Sequence, residues 1–295
     1  LSGCPSSPTL RQRLNHIGRA ADAILKERNA ALVRMKAPKL TSIKTGCGNF
    51  LPLDIDVSPF DNSNTKKEGV SWTYKKLAGF APILAYLGRE GYLVNLELRE
   101  GRQHCQNGTP DFLKETLGIV RQITTDSILL RMDSGNDSQD NLDLSIEYPN
   151  TEFIVKRNLR RESCKAWADF ARKNGRIRHQ SSGKIVYVGK TSTGLQGEAL
   201  PYPITFEVTE IWEQKGQKLM FPEIVADTWW CSLSEIDPEE VIELYHDHGT
   251  SEQFHSELKT DMDLERLPSQ SFSTNSLVLI LGMLAYNMLR IIGQY

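Results

Sequence analysis

The sequence predicts a mixed α/β protein, in which helices flank a sheet with an antiparallel hairpin on one side and parallel strands on the other. The runs "GFAPILAYL" and "YLVNLELRE" are joined by "GREG", a short glycine-containing connection typical of a β-hairpin. A helix, a strand, a short connection, a strand and a helix then follow between residues 110 and 175, an order that favours parallel strands. A β-rich stretch precedes the last helices, so an insertion of strands is also expected.

The first elements are a long helix and a strand that carries two aspartates. Apolar residues recur at near-helical spacing over residues 10–36, which predicts one helix. The stretch "NFLPLDIDV" alternates, so it predicts a strand with Asp54 and Asp56 on the face opposite its apolar residues. After the hairpin, a helix is predicted from Pro110 to Gln122, and the apolar strand "SILLRMD" ends on Asp133.

The remaining elements complete a four-part division of the chain. "TEFIVKR" predicts a fifth strand, and "ESCKAWADFARKNG" predicts a helix that stops at Gly175. The predicted division is an N-terminal helical segment over residues 1–48, a core over 49–180, a β-strand insertion over 181–232 and the C-terminal core helices over 233–295.

The composition is that of an ordinary globular protein, with 24% charged and 39% hydrophobic residues. The five cysteines are scattered and show no C-x-x-C spacing, which disfavours a disulfide framework or a zinc ribbon and is typical of reduced cytosolic thiols. The strongest apolar run, residues 276–292, is shorter than the ~20 residues of a membrane span. Asn287 and Arg290 also interrupt this run, so a buried helix is expected.

Charge is distributed unevenly although the net charge is only −2. Residues 156–178 contain nine lysines and arginines against two acidic residues, and the predicted N-terminal helix is also basic. Residues 223–265 are strongly acidic. Each charged run by itself is typical of a solvated face, but together they favour a polyanionic partner.

Three carboxylates are candidates for one metal site. Asp54 or Asp56 ends the first strand and Asp133 ends the fourth, so the two would lie ~5 Å apart if these strands are neighbours. Glu252, on a later helix, would be the third, and a set of carboxylate oxygens suits Mg²⁺ or Mn²⁺ better than zinc. For Asp133 alone, which precedes Ser-Gly, an ordinary turn residue that bonds its own backbone is the alternative.

The stretch "YHDHGTSEQFHSELK" places five polar side chains three or four residues apart: Tyr245, His248, Glu252, Ser256 and Lys259. On one continuous helix they would form a single polar stripe, whereas a stripe that faces a core is normally apolar. Gly249 and the capping-box pattern of Thr250 and Gln253 leave open that the helix begins only at Thr250.

These motifs together resemble those of a known family. The spacing of Tyr245, His248, Glu252 and Lys259 resembles the Tyr-Arg-Glu-Lys signature of DDE transposases from bacterial insertion sequences. "LDIDVSP" and "LRMDSG" resemble the strands that carry that family's two aspartates, and the β-rich stretch resembles its insertion in an RNase H-like fold. "RLPS" and "LAYNMLR" near the end of the chain are similar to family text as well.

The resemblance implies a catalytic triad of Asp56, Asp133 and Glu252 that binds two Mg²⁺ or Mn²⁺ ions, with Asp54 as the alternative to Asp56. The implied reaction cuts and joins DNA at the ends of an insertion sequence by phosphoryl transfer. Segment 1–48 would then be the end of a DNA-binding region that precedes the catalytic core.

The resemblance also implies DNA contacts at Tyr245, His248 and Lys259. The basic run over residues 156–178 predicts further DNA contacts, at Arg157, Arg160 and Arg161. His248 stands where the family has arginine, which predicts a weaker phosphate contact, since arginine is always charged and binds phosphate bidentately. The expected partners are the terminal inverted repeats and target DNA, with a homodimer in a synaptic complex as one arrangement and no membrane. The expected location is the bacterial cytoplasm, at the nucleoid.

Two other classes of function remain as alternatives. The chain is either an active core or a DNA-binding remnant that is unable to cut. A zinc hydrolase on His246, His248 and His255 is disfavoured, because positions i and i+2 of a helix diverge by about 200°. Four lysines that follow the first strand, Lys66, Lys67, Lys75 and Lys76, either contact DNA or only solubilise a loop.

Overall fold

The computed structural model describes residues 5–181 and 183–295. The helices are α1 (Ser7–Ile17), α2 (Asp22–Lys36), α3 (Thr109–Ile123), α4 (Gln139–Glu147), α5 (Cys164–Asn174), α6 (Pro238–His246), α7 (Thr250–Ser256) and α8 (Phe272–Gln294). The strands are β1 (Ile43–Thr45), β2 (Gly48–Val57), β3 (Phe60–Asp61), β4 (Ser71–Trp72), β5 (Ala78–Phe80), β6 (Ile83–Leu87), β7 (Tyr92–Glu97), β8 (Ile128–Met132), β9 (Thr151–Lys156), β10 (Arg176–Gln180), β11 (Lys184–Thr193), β12 (Ala199–Gln214) and β13 (Gln217–Cys231).

The chain forms two compact units. The first unit contains the residues up to Ser42, Leu51–Asp126 and Thr250–Tyr295, and the second contains Ile43–Phe50 and Ser127–Gly249. The two units are groups of residues in mutual contact, which does not test the four segments expected from the sequence. That four-part division stays a prediction.

In the first unit, β2, β6 and β7 form an antiparallel sheet, with β2 paired to β6 and β6 to β7. The predicted hairpin is thus confirmed. Gly91 lies in its connection with φ of 69°, and a methyl group on its Cα would lie 2.3 Å from the ring of Phe254. Only glycine fits this close approach, so the connection is specified by packing as well as by turn geometry.

Helix α8 is the central helix of the first unit. Its buried face, which includes Leu279 and Met283, joins the core cluster formed with strands β6 and β7. The side chain of Asn287 accepts a hydrogen bond from Leu93 N–H (3.0 Å) and donates to Leu93 O (2.7 Å) and to Asn29 Oδ1 (2.8 Å). By length and a mean hydropathy of 1.7 this helix could cross a membrane, but half of that apolar window is buried within the protein.

The N-terminal helix differs from the prediction of one helix over residues 10–36. Gly18 has φ of 48°, and its N–H donates to Leu14 O, so α1 ends at Ile17. A 3-10 turn over Gly18–Ala21 then leads into α2. Glycine at a helix end readily adopts positive φ, which ends the helix without the steric cost that another residue would have.

In the second unit, β8 pairs with β9 in parallel, and β9, β13, β12, β11 and β10 follow as antiparallel neighbours. The segment between β8 and β9, predicted as a short connection, contains helix α4. Ser138 caps this helix by accepting a hydrogen bond from Asn141 N–H, a start signal that the sequence analysis missed. Sheets flanked by helices confirm the α/β class, and β11, β12 and β13 form the predicted β-rich insertion.

Candidate active site

Asp56 lies near the end of β2, in the first unit, opposite Leu84 of β6. Its Oδ1 accepts a hydrogen bond from Val57 N–H (2.7 Å), and its Oδ2 lies 3.1 Å from His255 Nε2. The side chain is 24% exposed, whereas Asp54, two residues earlier, is buried. An incoming ion would therefore reach the carboxylate of Asp56 more easily than that of Asp54.

His255, on α7, is buried and connects Asp56 to the phenol of Tyr86. The Tyr86 hydroxyl lies 3.1 Å from His255 Nδ1, and the two rings meet edge to face with centroids 5.3 Å apart. A carboxylate can only accept, so Nε2–H donates to Asp56. In the tautomer with that single proton, Nδ1 accepts from Tyr86 O–H. Burial raises the pKa of Tyr86 well above its ordinary value, so the phenol keeps that proton.

Sequence reasoning missed this role of His255. The histidine was considered only as a zinc ligand, although its position three residues after Glu252 places it on the same part of a helix. It bonds Asp56 and Tyr86, so it tethers the first candidate carboxylate to the core of the first unit.

Glu252 and Lys259 belong to the first unit as well. Glu252 is exposed on α7. Lys259 follows in a π-helical turn over Glu257–Asp261, where Met262 N–H donates to Glu257 O five residues earlier (3.1 Å). Such turns are rare and occur often at functional sites.

The ammonium group of Lys259 is half-buried, 5.6 Å from the ring centroid of Phe60. Burial lowers its pKa, the carboxylate of Glu265 opposes that shift, and weaker effects come from Lys75, which lowers the pKa, and Asp56, which raises it. The charges of Lys259 and Asp56 therefore interact, and the DNA contact expected at Lys259 stays a prediction.

Arg290 of α8 anchors the helical segment that carries these residues. Its guanidinium group lies between the rings of Phe254 and Tyr286, 4.8 Å from each centroid, and forms an ion pair with Glu257. Stacking and charge pairing therefore fix α7 and the π-helical turn against α8.

The polar stripe does not lie on one helix. Helix α6 ends at His246, a 3-10 turn covers Asp247–Gly249, and α7 begins at Thr250. The continuous-helix prediction is wrong, and the alternative start at Thr250 is confirmed. The α-helical spacing therefore holds only for Glu252 and Ser256, and Lys259 follows in the π-helical turn.

Tyr245 and His248 lie in the second unit. The ring of Tyr245 packs 5.7 Å from that of Trp229 and 5.9 Å from that of His248, and His248 is buried. Trp229 is a buried core residue, so Tyr245 packs against the core of the second unit. DNA contacts at Tyr245 and His248 stay predictions.

Asp133, in the second unit, follows β8 and begins a 3-10 turn over Ser134–Asn136. Its Oδ1 accepts a hydrogen bond from Asn136 Nδ2 (2.8 Å), and its backbone O accepts from Asn136 N–H (3.1 Å). Asn136 is fully buried and was missed, although Asp-x-x-Asn at a strand end is a local turn pattern.

Of the three predicted DNA-binding arginines, Arg157 is the least accessible. Its side chain is 9% exposed, pairs bidentately with Glu162 (2.8 and 3.1 Å) and lies 4.7 Å from the ring centroid of Trp230. Burial alone would raise the pKa of Glu162, but hydrogen bonds from Arg157 and Trp167 outweigh it and lower the pKa. Arg157 thus already has a carboxylate partner within the second unit.

Arg160 and Arg161 differ from Arg157 in exposure. The side chain of Arg160 is 64% exposed and donates to the backbone O of Asp137 (2.8 Å), and Arg161 is also exposed. A phosphate could therefore approach these two guanidinium groups from solvent. Contact of all three arginines with DNA stays a prediction.

The candidate donors suit a divalent cation by their chemistry. Carboxylate oxygens are the ligands that Mg²⁺ and Mn²⁺ prefer, and Asp56 and Glu252 both reach solvent. Within residues 5–181 and 183–295, no group of three or more His, Cys, Asp or Glu side chains is already arranged to hold a metal ion. The zinc hypothesis therefore has no preformed cluster among these residues, and its third histidine, His255, bonds Asp56 and Tyr86 instead.

The chain has only weak similarity to the solved structure described next. No curated protein matches the sequence. Among solved structures, a cryo-EM structure of the piggyBac transposase synaptic complex with hairpin DNA matches with 12% sequence identity and a TM-score of 0.46, over 82% of this chain and 47% of that chain. The chain therefore spans about half the length of that protein, and a likeness this weak carries no argument about function.

The model of one protein family, described as transposase DDE domain group 1, matches residues 4–294. This range includes both strand-end aspartates, the β-rich insertion and the segment with Glu252, so the resemblance inferred from the motifs is confirmed. The chain belongs to the transposase DDE domain group 1 family.

Proposed function

We propose that the chain is the catalytic core of a DNA transposase that cuts and joins DNA at the ends of an insertion sequence by metal-dependent phosphoryl transfer. Family membership supports the transposase assignment. The observation that carries the chemistry is the carboxylate of Asp56, partly exposed at the end of β2 and tethered by His255. A carboxylate whose orientation is fixed before an ion arrives is what a preorganised metal site requires.

In this proposal Asp56, Asp133 and Glu252 hold two Mg²⁺ or Mn²⁺ ions. When bound, such ions activate the attacking oxygen and stabilise the leaving oxygen of an in-line displacement. His255 keeps Oδ2 of Asp56 in one orientation, and the half-buried Lys259 offers a positive charge for the backbone phosphate of the DNA. An RNase H-like arrangement of the sheet belongs to the same proposal.

The proposed partners are the terminal inverted repeats of the element and its target DNA, bound in the bacterial cytoplasm at the nucleoid. Arg160 and Arg161 are the exposed cations of the second unit that we assign to phosphate contacts. Arg157, Tyr245 and His248 would support these contacts from their more buried positions.

The test is metal-dependent cleavage of a duplex that carries the ends of the encoding element. We expect Asp56→Asn, Asp133→Asn and Glu252→Gln each to lower the Mg²⁺-dependent cleavage rate by about 10³-fold or more, since bound metal ions supply several kcal/mol of transition-state stabilisation. DNA binding, measured by gel shift, should change little because the variants remove no positive charge.

Asp140→Asn, at an exposed aspartate of α4, is the matched control and should cleave at the parental rate. Parental cleavage rates in the Asp56 and Glu252 variants would disprove the site assignment. If the parental chain binds the ends but does not cut them, the alternative of a DNA-binding remnant is correct.

A further inference from the structure

A short hairpin of the first unit exposes two aromatic side chains next to two lysines. We call the segment from Ser71 to Phe80, with strands β4 and β5, the aromatic hairpin. Trp72 is 69% exposed and Tyr74 is 64% exposed. Isolated exposed apolar residues are common, but here two large aromatic side chains lie within three residues and form a local exposed patch.

The loop of the aromatic hairpin keeps a lysine where glycine is the usual residue. Thr73 N–H donates to Leu77 O (2.9 Å) and Lys76 N–H donates to Thr73 O (3.0 Å), which closes a loop of Tyr74, Lys75 and Lys76. Lys76 has φ of 58°, in the left-handed region that glycine adopts with least strain. The loop sequence is thus not the one that would best stabilise the turn, and it keeps a positive charge there.

The aromatic hairpin is attached to the strand that carries Asp56. The hydroxyl of Tyr74 donates to the backbone O of Val57 (3.0 Å), the residue that follows Asp56. The exposed rings are therefore anchored beside the candidate active site, within the same unit.

We propose that the aromatic hairpin binds single-stranded DNA, with an unpaired base stacked on Trp72 and Tyr74 and backbone phosphates held by Lys75 and Lys76. This inference rests on the proposed function and names the part of the DNA that the site would meet next to the cleaved phosphate. Every base has a π-face, so stacking on aromatic rings tolerates any sequence, and lysines add sequence-independent affinity.

Charge decides between DNA and a protein as the partner of this patch. Residues 71–80 contain two lysines and no acidic residue. Protein interfaces are rich in aromatic residues but depleted in lysine, whereas surfaces for single-stranded nucleic acid combine aromatic rings with positive charge.

The experiment measures binding of a fluorescein-labelled oligodeoxythymidine of about 12 nucleotides to the full chain by anisotropy, a length within the usual site sizes. A blunt duplex of the same length is measured in parallel. Trp72→Ala should weaken oligonucleotide binding by about 5- to 150-fold, the range that corresponds to the loss of one stacked base. Trp72→Phe should restore most of that affinity, and duplex binding should change by less than the oligonucleotide binding does.

Two further variants separate stacking from charge and from general surface effects. Lys75→Ala should lower the dependence of log affinity on log salt concentration by about 0.7, the value for one phosphate contact on a single strand. Phe221→Ala removes a ring that is 78% exposed on β13 in the second unit, and it should bind the oligonucleotide as the parent does.

Parental affinity in Trp72→Ala, or an equal loss for oligonucleotide and duplex, would overturn the inference. Failure of this inference is distinguishable from failure of the proposed function. If the chain cleaves DNA but Trp72→Ala binds the oligonucleotide as the parent does, only the inference about the aromatic hairpin fails. If Trp72→Ala binds weakly but the parental chain never cleaves, the hairpin assignment stands and the catalytic proposal fails.

Discussion

The two strand-end aspartates differ in what holds their carboxylates. Asp56 in the first unit bonds a histidine 199 residues further along the chain, and that histidine bonds the buried phenol of Tyr86. Asp133 in the second unit bonds the amide of Asn136, three residues further along. Tertiary packing thus adds a long-range bond to the local one that Asp56 accepts from Val57 N–H, whereas the bond between Asp133 and Asn136 lies within a single turn.

This difference has energetic consequences. The bond between Asp133 and Asn136 can form as soon as the turn after β8 forms, because both partners belong to it. The bond between Asp56 and His255 exists only when α7 is packed in the first unit, and it brings a buried imidazole and a buried phenol with it. Disrupting the bonds of Asp56, His255 and Tyr86 should therefore lower the free energy of unfolding more than disrupting the bond of Asp133, since unpaired buried polar groups are destabilising.

The largest effect is expected for His255→Ala. The substitution leaves the buried Tyr86 hydroxyl without its partner and removes the ring that packs against it, so the free energy of unfolding of the first unit should fall by about 2–4 kcal/mol. Urea denaturation followed by circular dichroism measures this change. His255→Gln, whose amide can still donate to Asp56, is the matched control and should lower the free energy of unfolding less. An equal decrease in both variants would show that the bond to Asp56 adds no stability.

A smaller effect is expected for Tyr86→Phe. The ring and its packing stay, but Nδ1 of His255 loses its hydrogen-bond donor, so a loss of about 1–2 kcal/mol is expected in the same denaturation experiment. Tyr92→Phe, another buried tyrosine of the first unit whose hydroxyl bonds Gln294, serves as the comparison for loss of a hydroxyl. No loss in Tyr86→Phe would mean that the phenol does not orient His255.

The smallest effect is expected for Asn136→Ala. Removal of the amide breaks one hydrogen bond to the partly exposed Asp133, which water can replace. Among the residues that the structure describes, no group donates to the buried Asn136 Oδ1, so its loss removes a polar atom that is already unsatisfied. A loss of about 1 kcal/mol or less is expected by chemical denaturation, and a loss above that of His255→Ala would reverse the comparison.

Elements that depend on local patterns were predictable. The β6–β7 hairpin followed from its glycine-containing connection, the parallel pair β8 and β9 from the element order, and the start of α7 at Thr250 from a capping-box pattern. Elements with weaker local signals were missed, such as α4, whose cap at Ser138 precedes a short and largely polar helix.

Candidate site residues show the same limit. Family motifs pointed to Asp56, Asp133 and Glu252, but no spacing in the sequence indicates that His255 bonds Asp56. A basic run suggested that Arg157 faces DNA, but the structure gives it Glu162 as a carboxylate partner. A run of basic residues in the sequence does not show which carboxylate or other partner the fold places beside each side chain.

Local sequence patterns were enough to predict the α/β class, the order of most strands and the family, because periodicity, turn residues and short motifs act over a few neighbouring positions. The folded protein was needed to show that the phenol of Tyr86 and the imidazole of His255 orient Asp56, and that the aromatic hairpin is bonded to the strand that carries Asp56. Contacts between distant segments depend on how the elements pack, and packing depends on the shape and burial of many side chains at once.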